Sequence, residues 1–351
     1  MVQAMSSRQR LLTALRGGTP DRVPVAPFGL GNLEPDSAMA NRLIAVTDPF
    51  ITTGGGGDPF MGINVPATVT QDGDTTITVY HTPAGDLVRR HRRTEVTSAT
   101  VEFPCKDAGD VEKLLSLAHE PATPDVAEYL RWRQRVGDEA LVMVGVGNAV
   151  CFPATMLSPQ DFCLLWADAP ELMAHMTQIA SQRLNAFVDL LCNSGVDAFR
   201  IVGGEYVTCQ LGPKAFESLI VPFDSELCGI MRHYNAIAYY HNHGPIMDWL
   251  EPIADLGIDA LDPLEASPWG DCDLKEATDR IGDRVCLVGN LDDMEVLEQW
   301  DSGAVRSLGL RRLNEAGETG FVLGGTASGT YTEHAAGNFI ALAEMLNPCD
   351  G

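Results

Sequence analysis

The segment Ala236-Ile237-Ala238-Tyr239-Tyr240-His241-Asn242-His243-Gly244-Pro245-Ile246-Met247-Asp248-Trp249-Leu250 holds one complete unit of the fold. An apolar strand runs to His241, and from Pro245 onward the chain opens a helix. Side chains two apart on a strand point to the same side. His241 and His243 therefore project together from the strand's carboxyl end, as a pair that suits one metal ion. An isolated H-x-H also has a plainer reading, with one imidazole packed in the core and the other capping a loop. Position favours the chemical one, because alternating strand and helix folds place their chemistry at strand carboxyl ends.

The same unit repeats along the chain. Apolar strands are expected at 140–146, 196–202, 236–241, 258–261, 284–288 and 320–323. Stretches of helical length and amphipathic pattern fall between most of them, at 169–193, 214–233, 245–255 and 303–316. Apolar strands alternating with helices imply a parallel sheet. Six such strands, plus earlier ones, fit a closed (β/α)8 TIM-type barrel, an α/β fold, better than an open sheet. No G-x-G-x-x-G follows the first strand, which weakens a dinucleotide-binding alternative. The chain reads as a single domain over 1–351. Its first part, 1–108, holds an N-terminal extension, the first strands and an inserted β-hairpin, and 109–351 is the regular β/α part. Within the first part, 8–17 forms a short helix, Val23 to Phe28 an edge or barrel-entry strand, and Gly54-Gly55-Gly56-Gly57-Asp58-Pro59 a flexible loop that reads as a hinge or lid. Alternation from Thr75 to Phe103 around the Pro83-Ala84-Gly85-Asp86 turn marks the hairpin.

Composition narrows the function classes. At 351 residues with 45% hydrophobic content the chain buries a large core. It has no apolar run of about 18 residues and no signal-peptide pattern at its start, so a cytoplasmic location is expected. A net charge of −24 disfavours nucleic acid and anionic membrane surfaces and suits a small-molecule substrate. The Arg89-Arg90-His91-Arg92-Arg93 cluster reads as a solvated hairpin face. Nine scattered cysteines without a C-x-x-C pair argue against disulfides and zinc ribbons.

In a barrel, the residues just after each strand converge on the mouth. Those positions carry Asn148, then Glu205 and Tyr206, then His241 and His243, Asp262 and Glu265, Asn290 and Asp292, and Ser328 with His334 beyond. Glu205, His241 and His243 form the best metal set. One carboxylate and two imidazoles suit Zn²⁺ and leave a fourth position for water or substrate, and other divalent ions share these ligands. Asp262 and Glu265 orient the imidazoles or act as general base. As catalytic candidates they stand with Asn290, and their structural alternative is turn capping around Pro263. Asn148, Tyr206, Asp292, Ser328 and His334 complete the list as substrate-binding candidates, with helix N-capping the alternative for Asp292.

Several blocks together resemble the uroporphyrinogen decarboxylase superfamily. They are Arg8-Gln9-Arg10-Leu11-Leu12-Thr13-Ala14-Leu15-Arg16-Gly17 leading to Pro20-Asp21-Arg22-Val23-Pro24-Val25, the Thr82-Pro83-Ala84-Gly85 turn, Gly257 to Pro263, and Gly289-Asn290-Leu291-Asp292. The resemblance covers essentially the whole chain and implies a (β/α)8 barrel with an N-terminal extension. One branch of that superfamily decarboxylates a porphyrinogen without a cofactor. Its Arg-Gln-Ala-Gly-Arg run is missing here, where Phe28-Gly29-Leu30-Gly31 follows Pro27. The other branch holds zinc methyltransferases that work with corrinoid proteins and carry H-x-C and a later cysteine. This chain is similar to the second, with His243 in place of the first cysteine and Ser328 roughly at the later one.

The resemblance thus implies a metal-dependent methyltransferase acting on a small methylated substrate or a corrinoid-bound methyl group. The corrinoid would be carried by a partner protein, since the chain has no D-x-H-x-x-G signature. It also allows a homodimer. A Glu/His/His site is harder than a thiolate site, which favours an oxygen or ether atom over a thiol as the bound group. The rivals are a decarboxylase of a small or porphyrin-type carboxylic acid, a metal-assisted hydrolase and a non-catalytic binding barrel. For decarboxylation, the metal, or Arg200 with the N-terminal arginines, would hold the carboxylate.

Overall fold

The computed structural model describes residues 4–95, 97–326 and 330–347. Among these residues, twelve strands run in chain order: β1 (Val25–Ala26), β2 (Phe50–Gly54), β3 (Ala67–Asp72), β4 (Thr75–Thr82), β5 (Gly85–Arg93), β6 (Ser98–Glu102), β7 (Leu141–Gly147), β8 (Ala198–Val202), β9 (Ile237–His241), β10 (Ala260–Asp262), β11 (Cys286–Leu291) and β12 (Phe321–Gly325). Eight of them lie in the order β1-β12-β11-β10-β9-β8-β7-β2, all paired in parallel. A parallel bridge between Phe28 and Phe50 joins the two ends, with the Phe50 amide donating to Pro27 O at 3.1 Å. This is the (β/α)8 barrel.

Two apolar layers follow from strand alternation. Phe50, Met143, Ala198, Tyr239, Val288 and Val322 fill the barrel interior. Their alternate neighbours, such as Val144, Phe199, Tyr240 and Leu287, pack outward against the helices. The helix Ser7–Leu15, opened by a capping box at Ser6 and Gln9, sends Leu11, Ala14 and Leu15 into the inner layer. It plugs the end of the barrel where the strands begin: the Arg8 amide donates to Asp138 O, and the Arg8 side chain pairs with Asp197. Arg10 and Arg22 both pair with the buried Asp48, at 2.5 and 2.6 Å. These N-terminal arginines are therefore paired with acids at the opposite end from the mouth.

The sequence reading needs three adjustments. The expected hairpin exists as β4 and β5, but β3 and β6 flank it in a four-stranded antiparallel sheet. Its side chains are mostly half-exposed or exposed, so the threonine-rich outer strands carry little apolar alternation to read. Arg90 pairs with Glu102 and Arg92 with Asp74, as befits a solvated face. The Gly54–Gly57 run is packed rather than hinged. The Asp125 amide donates to Gly55 O at 2.9 Å, and a Cβ on Gly56 would stand 2.8 Å from that amide nitrogen. Finally, the helix expected over 214–233 widens into a π-turn at Phe216–Ile220 before Val221–His233, where Pro222 has no N–H to donate. No helix among the described residues is long and apolar enough to cross a membrane.

Candidate functional site

His241 ends β9 and faces the barrel interior, level with Asp262 at the end of β10 and Val202 on β8. It is buried, and its Nδ1 lies 2.9 Å from Asp262 Oδ1. A carboxylate only accepts, so Nδ1 carries the proton and donates, and Nε2 is left as the free face of the ring. Two residues on, His243 repeats the arrangement: its Nδ1 donates to Glu265 Oε1 at 3.1 Å. The second Glu265 oxygen accepts the Gly244 amide at 2.7 Å. Leu264, at φ 54°, turns the chain between Asp262 and Glu265 in a region unusual for a branched side chain. The two imidazoles stand perpendicular, with ring centroids 4.3 Å apart.

The charges agree with this geometry. The hydrogen bond to Glu265 raises the His243 pKa, with burial opposing. Burial pushes Glu265 upward, but hydrogen bonds from His243 and the Gly244 amide outweigh it, and its pKa is lowered. Glu205, which opens the short helix Glu205–Thr208, lies within electrostatic reach of His243, and its Oε2 is buried without a partner. Asn242 ties this helix to the H-x-H segment through Thr208 Oγ1 at 3.2 Å. Close packing requires Gly204, where a Cβ would come 2.4 Å from Asn242 Oδ1.

Two cavities adjoin the pair. One of about 410 Å³ is lined by His243, Gly244, Glu265, Trp269 and Asp292. The other, about 360 Å³, shares Glu265, Trp269 and Asp292 and adds Asn290 and Trp300. Asn290 is buried, and neither atom of its amide has a partner among the described residues. Asp292 accepts the Met294 and Glu295 amides as a helix cap while lining both cavities. The remaining candidates stand farther off. Asn148 is sealed from solvent, donates to Asp224 at 2.9 Å and lines neither cavity. Tyr206 packs edge-on to Phe162. His334 is exposed and engaged with Trp300 O at 2.8 Å. Ser328 lies outside the described residues. Trp269 and Thr326 were not singled out from sequence. Their loops carry no periodicity, and only the fold brings them to the mouth.

Residues 91–347 match the family described as Uroporphyrinogen decarboxylase (URO-D). The chain belongs to this family. A uroporphyrinogen decarboxylase of Alkalilimnicola ehrlichii is 27% identical over 205 residues, covering 54% of this chain and 53% of that protein. One of Methylococcus capsulatus is 26% identical over 267 residues, covering 69% of this chain and 70% of that protein. The chain thus spans little more than half the length of the first relative. Among solved structures, a methyltransferase from Methanosarcina mazei superposes over 98% of this chain and 99% of its own, with a TM-score of 0.67 and 15% identity. That likeness is one of fold.

In this uroporphyrinogen decarboxylase family barrel, no three His, Cys, Asp or Glu side chains among the described residues form a ready-made metal cage. The structure brings His241 and His243 together and leaves Glu205 nearby as an unpartnered carboxylate. The donor chemistry nevertheless fits a divalent ion. Two imidazoles each have Nδ1 braced by its own carboxylate, the outer arrangement typical of metal-binding histidines.

Proposed function

We propose that the chain is a metal-dependent methyltransferase of the uroporphyrinogen decarboxylase family, acting on a small methylated substrate. The observation that carries this reading is the imidazole pair with each Nδ1 braced by a separate carboxylate. His241, His243 and Glu205 would hold Zn²⁺ or another divalent ion, which would supply Lewis acidity toward an oxygen or ether atom of the substrate. Asp262 and Glu265 keep Nδ1 protonated and aim Nε2 of each ring. Asn290 offers the substrate a donor and an acceptor from the cavity wall. A corrinoid protein docked over the mouth would give or take the methyl group. The fold likeness to a methyltransferase over nearly the whole chain supports this reading.

Elemental mass spectrometry on the purified protein and on Glu205→Ala, His241→Ala and His243→Ala tests it. We expect about one equivalent of metal in the native chain, falling by orders of magnitude in the histidine variants. Full metal content in both histidine variants, or none in the native chain after reconstitution, sinks the reading. A decarboxylase of a small carboxylic acid is the second reading, favoured by the names of the relatives. Product formed without metal or corrinoid protein would select it.

A further inference from the structure

Arg200 is a cation placed inside the barrel. On β8, Ala198 belongs to the inner layer, and alternation brings Arg200 and Val202 to the same side. The guanidinium carbon lies 4.3 Å from the centre of the Phe28 ring, which packs against Phe50 and Tyr239. Among the described residues the side chain takes part in no ion pair or hydrogen bond, and its Nε is buried without a partner. The acids at the mouth serve the imidazoles: Asp262 holds His241 through Oδ1, with Oδ2 buried and unpartnered, and Glu265 holds His243 and the Gly244 amide; neither pairs with Arg200. Arg8, Arg10 and Arg22, by contrast, are all paired. An arginine held in an interior without an anion is costly, and interior arginines are ordinarily paired.

On its β7 side Arg200 faces a residue without a side chain. Gly145 stands opposite Arg200 in the β7–β8 register and Gly54 stands opposite Gly145, so β7 and β2 bring no side chain to that level, while β9 brings Tyr239 on the other side. Thr52 lies next to Gly145, where an added Cβ would come 3.1 Å from its Cγ2. Its hydroxyl is buried and unpartnered. Thr52, Gly145, Gly147 and Arg200 are each only partly buried, so solvent reaches this level of the interior.

We infer that Arg200 binds a carboxylate of the substrate, with the Thr52 hydroxyl as a second donor and the Phe28 ring beneath it. The planar guanidinium fork matches a carboxylate in shape and charge. His241 lies two residues nearer the mouth than Tyr239, the register partner of Arg200. At strand rise this is roughly 7 Å, which selects small acids whose far end reaches the imidazole pair. The inference rests on the proposed function for what happens at that far end, and on the Arg200 environment alone for the anion.

Calorimetric titration with acetate, methoxyacetate and benzoate, each against its neutral amide, separates the two. We expect at least one acid to bind the native chain about 10- to 100-fold more tightly than its amide. Arg200→Met should abolish that preference, and Arg200→Lys should retain part of it. Equal affinity for acid and amide, no binding of any acid, or an unchanged preference in a folded Arg200→Met variant overturns the inference. If Arg200→Met does not fold, the acid-to-amide ratio of the native chain and the Lys variant decide. Acid preference that persists in a protein shown to bind no metal keeps the Arg200 site and discards the methyltransferase reading.

Discussion

On the outer face of β9, Asp224 is fully enclosed and accepts hydrogen bonds from Asn148 at 2.9 Å and Tyr240 at 2.8 Å. Burial pushes its pKa from 3.8 up to about 7, against the pull of these two donors. Its folded pKa thus lies above its unfolded one, and between the two values the folded state holds a proton that the unfolded state releases. Stability should therefore fall as pH rises from about 4 to about 7, by at most about 1.4 kcal/mol per pH unit, and level off above. Asp224→Asn should remove this slope, as urea unfolding at pH 5 and pH 8 would show. A slope of the same size in the variant would assign it to other groups. His241 and His243 were legible in the sequence because a strand period of two and a strand end are local features. Asp224 was not, because its role depends on a helix meeting the outer face of β9.

Elements were legible in order and type more than in extent. The strands expected at 140–146 and 236–241 are observed at Leu141–Gly147 and Ile237–His241. The one expected at 284–288 runs on to Leu291, which carries Asn290 inside the strand rather than after it. Ladder bonds to β12 extend the strand past its apolar core, and composition does not announce them. The turn after β8 makes a sharper prediction. Gly204 has no room for a side chain, with Asn242 Oδ1 and Tyr240 Oη 2.4 and 2.7 Å from the position of a Cβ. Gly204→Ala should cost about 1–3 kcal/mol through overpacking, and loosen the Glu205 helix over the site. A melting temperature equal to that of the native chain would show that this turn yields freely.

For the molecule as a whole, the N-terminal helix acts as the barrel's plug. Asp48 is wholly buried and holds Arg10 and Arg22 while accepting the Val25 amide at 3.0 Å. Removing one member of such a buried network strands the others without a counter-charge. Asp48→Ala should destabilise the protein by about 3–5 kcal/mol, read as a lower urea midpoint. A change under about 0.5 kcal/mol, the usual range for surface substitutions, would mean that the two arginines find water or other partners. Apolar packing of Leu11, Ala14 and Leu15 at the barrel base makes the same helix inseparable from the fold.

By itself the sequence determined the class of the protein: strand-helix alternation, the motif blocks of the family, and the strand ends that carry polar residues. These are local patterns, set by side-chain period and turn chemistry along one stretch of chain. Tertiary structure alone decided which polar groups meet. It gave Asp262 to His241 and Glu265 to His243, tied Asn148 to Asp224, sent the N-terminal arginines to Asp48 and Asp197, and left Arg200 without an anion. Those pairings join residues far apart in sequence, and closure of the barrel, not any single segment, sets the distance between them.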